Sequence, residues 1–159
     1  MLNDTVKAKR GTVVVGIGNP LLKDDRAGIE VAERVEALGL PVTVEVLHTV
    51  GFEAMDKVMG FDRAFVVDAC QLGHPPGTVL DLRLDDIFSD GLLSGSHAAT
   101  LGGTLKAGQE LFPGEMPMDL RIILIEIEDA SEFCPACTPA VQAAVERVVE
   151  MIRQECNLG

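Results

Sequence analysis

The sequence predicts an α/β fold, a sandwich built on a mostly parallel, mixed sheet of five strands. Short apolar runs rich in β-branched residues alternate with stretches of helical periodicity, the pattern of strands joined by crossover helices. The first of these runs is apolar throughout, as a strand covered on both faces must be. One junction is too short for a crossover, so one strand must run antiparallel to its neighbour.

The first strand spans residues 12–17 and is stopped by Gly18-Asn19-Pro20. A helix follows over Arg26 to Leu38, where Ala27, Ile29, Val31, Ala32, Val35 and Leu38 recur at helical spacing. Asp24 or Asp25 is its expected N-cap and Gly39 its stop. Val42 to Leu47 alternates apolar and polar residues and reads as the second strand; Phe52 to Met59 has the spacing of a short helix. Ala64 to Ala69 forms the third strand, Thr78 to Leu84 the fourth, His97 to Glu110 a helix, Leu120 to Ile127 the fifth strand and Pro139 to Glu155 the closing helix. Only Cys70 to Gly77 separates strands three and four, which makes the fourth the antiparallel one. Asp85 to Ser96 is the longest irregular stretch and is expected to be a mobile flap.

A chain of 159 residues predicts one domain, residues 1–159, able to fold without disulfide staples. Its longest apolar stretches are too short to cross a bilayer. Asp4, Lys7, Lys9 and Arg10 interrupt the only apolar region that could serve as a secretory signal, so a cytoplasmic protein is expected. The four cysteines, Cys70, Cys134, Cys137 and Cys156, are too few and too unevenly spaced for a disulfide framework. The formal charge of −12 repels phosphate backbones and anionic lipids, which makes nucleic acid and membranes poor partners. The plain meaning of that charge is solubility; the sharper one is attraction of a basic partner segment or a metal cation.

Ligands of an open α/β sheet gather at the carboxyl ends of its parallel strands, and here those positions carry acids. Strand one is followed by Asp24 and Asp25, and strand three ends at Asp68 inside Phe65-Val66-Val67-Asp68-Ala69. A carboxylate so placed is costly unless a cation or hydrogen-bond donors meet it, and local donors from a neighbouring loop are the alternative. His97 opens a helix, a position from which an imidazole can point toward the same sheet edge; taken alone, such a residue is more often a packing or helix-start histidine than a ligand. His48 and His74 are weaker candidates in loops. Together Asp25, Asp68 and His97 would supply two carboxylates and one imidazole, a donor set suited to a divalent metal and open to water or substrate. The chain has no G-x-S-x-G elbow, H-E-x-x-H helix or P-loop. Gly16-Ile17-Gly18 lacks the third glycine of a dinucleotide fingerprint, and the acids that follow would repel a pyrophosphate, which argues against NAD.

The run from Gly16-Ile17-Gly18-Asn19-Pro20-Leu21 through Asp24-Asp25-Arg26-Ala27-Gly28 resembles the G-x-G-N-x-L-x-x-D-[DE]-x-x-G signature of the hydrogenase maturation proteases. Val67-Asp68-Ala69, Pro75-Pro76-Gly77-Thr78 and Ser96-His97 follow in that family's order, so the resemblance spans nearly the whole chain. It implies a three-layer α/β/α sandwich with a twisted sheet. It also implies a metal-dependent endopeptidase that trims the C-terminal extension of a nickel-iron hydrogenase large-subunit precursor, with its metal-binding and catalytic triad at Asp25, Asp68 and His97. The nickel held by the substrate is the feature it implies is recognised, with zinc or cadmium able to substitute in the site. A non-catalytic nickel-binding scaffold or chaperone of hydrogenase assembly would use the same ligands. A monomer or weak oligomer is expected, with Asp85 to Ser96 and the loop at Thr49-Val50-Gly51 as substrate contacts.

Two features depart from the family pattern. Arg26 puts a cation beside Asp25 that could compete with a metal for it. Cys134 and Cys137 form a C-x-x-C where the family has a Leu-Ser-Pro-like turn; the pair could bind metal, cycle with a disulfide, or be two small half-buried residues. Cys70, near His74, offers a thiol nucleophile as an alternative, although nothing in the sequence orients that histidine.

Overall fold

The computed structural model describes residues 11–21, 24–87, 97–128 and 137–158, leaving aside the side chains of His97 and Leu158. Its strands are β1 (Thr12–Ile17), β2 (Thr43–Leu47), β3 (Arg63–Cys70), β4 (Val79–Arg83) and β5 (Asp119–Glu126). Its helices are α1 (Ala27–Ala37), α2 (Phe52–Val58), the single turn α3 (Leu84–Ile87), α4 (His97–Leu111) and α5 (Pro139–Leu158). The sheet runs β2-β1-β3-β5-β4. Pairs β1/β2, β1/β3 and β3/β5 are parallel, and β4/β5 is antiparallel, as the short 70–77 junction requires.

Strand residues alternate between two apolar layers, which is why β1, β3 and β5 are buried from end to end. Val14, Phe65, Val67, Ile123 and Ile125 pack under α1 and α5 with Val31, Val145 and Ile152. Val15, Ile17, Val66, Ile122 and Leu124 pack under α2 and α4 with Val58, Leu101 and Leu105. Each fully buried Val, Leu or Ile contributes about 1.5–3 kcal/mol of transfer free energy, so these two layers carry the fold. At the end of the sheet where β3 and β5 begin, the buried Arg121 guanidinium bonds Asp81 of β4 and Glu155 of α5, and stands 5.2 Å from the Phe65 ring centroid. A buried cation satisfied in this way ties the antiparallel edge strand and the last helix to the sheet. Among the described residues no helix is long and apolar enough to cross a membrane.

Two sequence expectations are corrected. Neither Asp24 nor Asp25 caps α1; both lie in a 3-10 turn, Asp24–Arg26, and the residue before the helix is Arg26, with no side-chain cap. Both acids have tertiary tasks that capping cannot compete with. The stretch expected to be irregular from Asp85 begins helical, because Leu84 and Ile87 bury against α4 and Asp86 accepts the Arg83 N–H at 2.9 Å. Residues 88–96 of the expected flap lie outside the described residues. The stop of α1 is as expected, the chain leaving the helix at Leu38 and Gly39 with φ of +68° at the glycine.

Candidate active site

Because β1 and β3 are parallel neighbours, the segments after Ile17 and Cys70 leave from the same edge of the sheet. The Gly18 N–H donates to Leu47 O at 3.0 Å, and the chain then loops out and returns as the Asp24–Arg26 turn. Asn19 closes that loop: its N–H meets the Asp25 carboxylate at 3.2 Å, and its own side chain accepts the Leu21 N–H at 2.9 Å. The signature glycines are there for close approach. A Cβ on Gly18 would lie 2.2 Å from Asp25 O, and one on Gly28 would lie 2.4 Å from Ile17 O and 2.5 Å from Val67 O. Only bare backbone lets the turn and the first coil of α1 sit directly on the strand ends, where Asp25 comes beside Asp68.

Asp68 is 2% exposed, on the sheet face that α2 and α4 cover. Its Oδ1 accepts the Ala69 N–H at 2.8 Å, while Oδ2 is buried without a hydrogen-bond partner among the described residues. Burial pushes this carboxyl up to about 8, the Ala69 N–H opposes that rise, and the Asp25 charge adds to it. With no cation present, Asp68 therefore holds a proton at neutral pH. An orphaned buried oxygen beside a second, half-buried carboxylate fits a divalent cation, since such an ion would remove the repulsion and fill the empty coordination direction.

The third candidate, His97, opens α4, which packs on the face that Asp68 shares. Its side chain lies outside the described residues, and among those residues no three His, Cys, Asp or Glu side chains form a metal-holding cluster. The structure thus places Asp25 near enough for its charge to act on Asp68, and the backbone of His97 at the start of the helix on that face. Arg26 does not pair with Asp25: its guanidinium bonds Glu30 at 2.9 Å and Pro20 O at 2.8 Å. His48 and His74 are exposed.

The thiol reading fails on geometry and charge. Cys70 is buried with its Sγ 3.7 Å from Glu126 Oε1, and burial together with the Glu126 charge pushes the thiol up to about 12. Burial likewise pushes Cys137 up to about 12, with Glu30 and Asp24 adding to the effect; it packs against the α1/α5 layer, and Cys134 lies outside the described residues.

Two further acids on this rim have tasks that sequence reasoning did not assign: Asp24, named there as a strand-end acid or helix cap, and Glu126, not singled out at all. Asp24 is fully buried and accepts Thr138 N–H at 2.7 Å and Glu128 N–H at 2.9 Å. Glu126, 3% exposed, accepts the Leu72 N–H at 3.0 Å and so pins the turn after β3. An acid inside the apolar run Ile122 to Ile127 was the available signal for Glu126. Nothing in the sequence distinguishes the tasks of the adjacent Asp24 and Asp25.

Residues 29–155 match the hydrogenase maturation protease family model. The chain belongs to the hydrogenase maturation protease family. It is 30% identical over 147 residues to the hydrogenase 2 maturation protease of Escherichia coli K12, an alignment covering 88% of this chain and 87% of that one. The solved hydrogenase maturating endopeptidase HybD from E. coli superposes with a TM-score of 0.70 at 29% identity, covering 89% of this chain and 88% of the other. The [NiFe] hydrogenase maturation protease HybD from Thermococcus kodakarensis shares the fold, with a TM-score of 0.71 at 22% identity over 91% of this chain and 98% of that one. As a hydrogenase maturation protease the chain is a peptide-bond hydrolase, and the paired carboxylates are its candidate chemical centre.

Proposed function

We propose that this hydrogenase maturation protease is a cytoplasmic endopeptidase that removes the C-terminal extension of a nickel-iron hydrogenase large-subunit precursor after nickel insertion. In this reading Asp25, Asp68 and His97 meet the nickel carried by the substrate. The observation that supports it is the buried Oδ2 of Asp68, which has no hydrogen-bond partner among the described residues, with the Asp25 charge acting on the same carboxyl. A half-built donor set of this kind holds free metal weakly and gains most from an ion that arrives with ligands of its own. Nickel bound there supplies Lewis acidity to the scissile carbonyl or to a water.

The protein's part is positional. Asp68 releases its proton when a cation approaches, because the penalty for its charge is mainly burial and the cation offsets it. Asp25 is half-exposed and held through Asn19, which leaves it open to accept a proton from the attacking group. The Cys70 and Cys137 thiols, pushed up by burial, stay protonated and remain outside the proposed chemistry.

The test is to incubate the protein with nickel-loaded and nickel-free precursor and weigh both by mass spectrometry. Loss of a tail from the loaded precursor alone is expected. Equal loss from both would remove nickel recognition from the mechanism, and no loss from either would leave a nickel-binding scaffold as the better reading.

A further inference from the structure

We propose that Asp24 is a positioning residue: by latching the turn that carries Asp25 to Glu128 and Thr138, it sets where the Asp25 carboxylate stands. Asp24 is 0% exposed, and both of its oxygens are engaged. Oδ1 accepts Thr138 N–H at 2.7 Å and Thr138 Oγ1 at 3.0 Å; Oδ2 accepts the same hydroxyl at 2.9 Å and Glu128 N–H at 2.9 Å. Hydrogen bonds to an ionised acceptor are roughly twice as strong as neutral ones. Thr138 directly precedes α5, and its carbonyl accepts the Gln142 N–H at 2.8 Å, so the latch also places a negative charge at the start of a twenty-residue helix, where the helix dipole favours it.

The anchors are firm. Glu128 follows β5, a strand paired on both sides, and α5 is packed along the α1 face of the sheet. Asp25 is less well held: it is half-exposed, and the hydrogen bond that fixes its carboxylate comes from Asn19 in the same loop. One peptide unit, about 3.8 Å between Cα atoms, separates it from Asp24, so any slack in the latch passes directly to Asp25. Displacements near 1 Å at a reacting group cost on the order of 100-fold in rate. Asparagine does not reproduce the latch, because whichever way its amide is turned the NH2 faces a backbone N–H, that of Thr138 or that of Glu128.

The deciding measurement is amide hydrogen exchange on the metal-free protein. Asn19 N–H reports on Asp25, to whose carboxylate and carbonyl it is bonded. In D24N, Asn19 exchange should rise by about tenfold or more while Val66, deep in β3, keeps its protection; unchanged Asn19 exchange in the folded variant would overturn the latch. Should D24N not fold, the Thr138→Val and Thr138→Ser pair decides. Faster Asn19 exchange in T138V than in T138S, by about threefold, is expected, and equality would overturn the proposal.

The catalytic arm rests on the processing reading above. With nickel-loaded precursor, D24N should lose about tenfold or more in kcat with KM within about twofold, and T138S should match the wild type. Wild-type protein that leaves the precursor intact sinks the processing reading alone, since Asn19 exchange judges the latch without it. A folded D24N with wild-type kcat, in a preparation whose wild type cuts, overturns the positioning role.

Discussion

Asp68→Asn should make the protein more stable and inactive at once. The folded carboxyl titrates near 8 against an ordinary value of 3.8, because burial outweighs the Ala69 N–H. Between those values the folded state holds a proton that the unfolded chain has released. The stability contribution of Asp68 is therefore fully present below 3.8 and is lost as pH rises toward about 8. Each pH unit inside that window removes about 1.4 kcal/mol, so the step from pH 5 to pH 7 removes about 3 kcal/mol. Asparagine matches the protonated carboxyl in shape, keeps an oxygen for Ala69, places a donor where the acid proton sits, and does not titrate. The stability gap between D68N and wild type should thus widen by about 3 kcal/mol from pH 5 to pH 7. Urea unfolding at pH 5, 6 and 7 with a chelator present measures it, and the precursor assay should find D68N silent. A gap that stays constant with pH would refute the desolvation argument, and an active D68N would remove Asp68 from the site.

Asp25→Asn should cost about 100-fold or more in tail removal, as expected for a lost proton acceptor, with less than about 1 kcal/mol of stability because the site is half-exposed; kinetics and urea midpoints check both. Gly28→Ala drives a methyl group against two backbone oxygens and should destabilise by about 1–3 kcal/mol or more while lowering activity. Gly103→Ala in α4 meets nothing within 4 Å and should instead stabilise by up to about 1 kcal/mol, which makes it the control by urea unfolding. Iodoacetamide at pH 7 should leave Cys70 and Cys137 unmodified by mass, and Cys70→Ala should retain tail removal; an inactive but folded C70A would reopen the thiol mechanism.

The fold was readable because its signals are local and redundant. β-branched runs, helical periodicity and the short 70–77 junction each name an element without reference to the others, whereas the sheet order, with β5 between β3 and β4, is set by long-range pairing and was not legible. Asp68 was readable for the same reason: a lone acid in an apolar strand conflicts with its surroundings, and such conflicts mark function or a specific partner. The roles of Asp24 and Asp25 were not separable. They are adjacent and of one residue type, and what distinguishes them is contact with residues more than a hundred positions away, Glu128 and Thr138. The Arg26 expectation failed similarly, because Glu30 one helical turn on is a nearer partner than the neighbouring Asp25.

Among the described residues three buried acids lie on the rim, and in the proposed reading their hydrogen bonds decide which of them is left for a ligand. Asp24 receives two backbone N–H groups, from Thr138 and Glu128, while Glu126 shares the Leu72 N–H between both of its oxygens and takes the Cys70 thiol on one of them. These bonds tie separate segments together, so both act as structural staples. Asp68 is as deeply buried, yet it receives one N–H, and its second oxygen meets no donor among the described residues. Left so, it costs more stability than either neighbour. A mutation to a neutral residue would relieve that cost at once, and the cation-binding role proposed for Asp68 is what would account for a carboxyl kept under such tension.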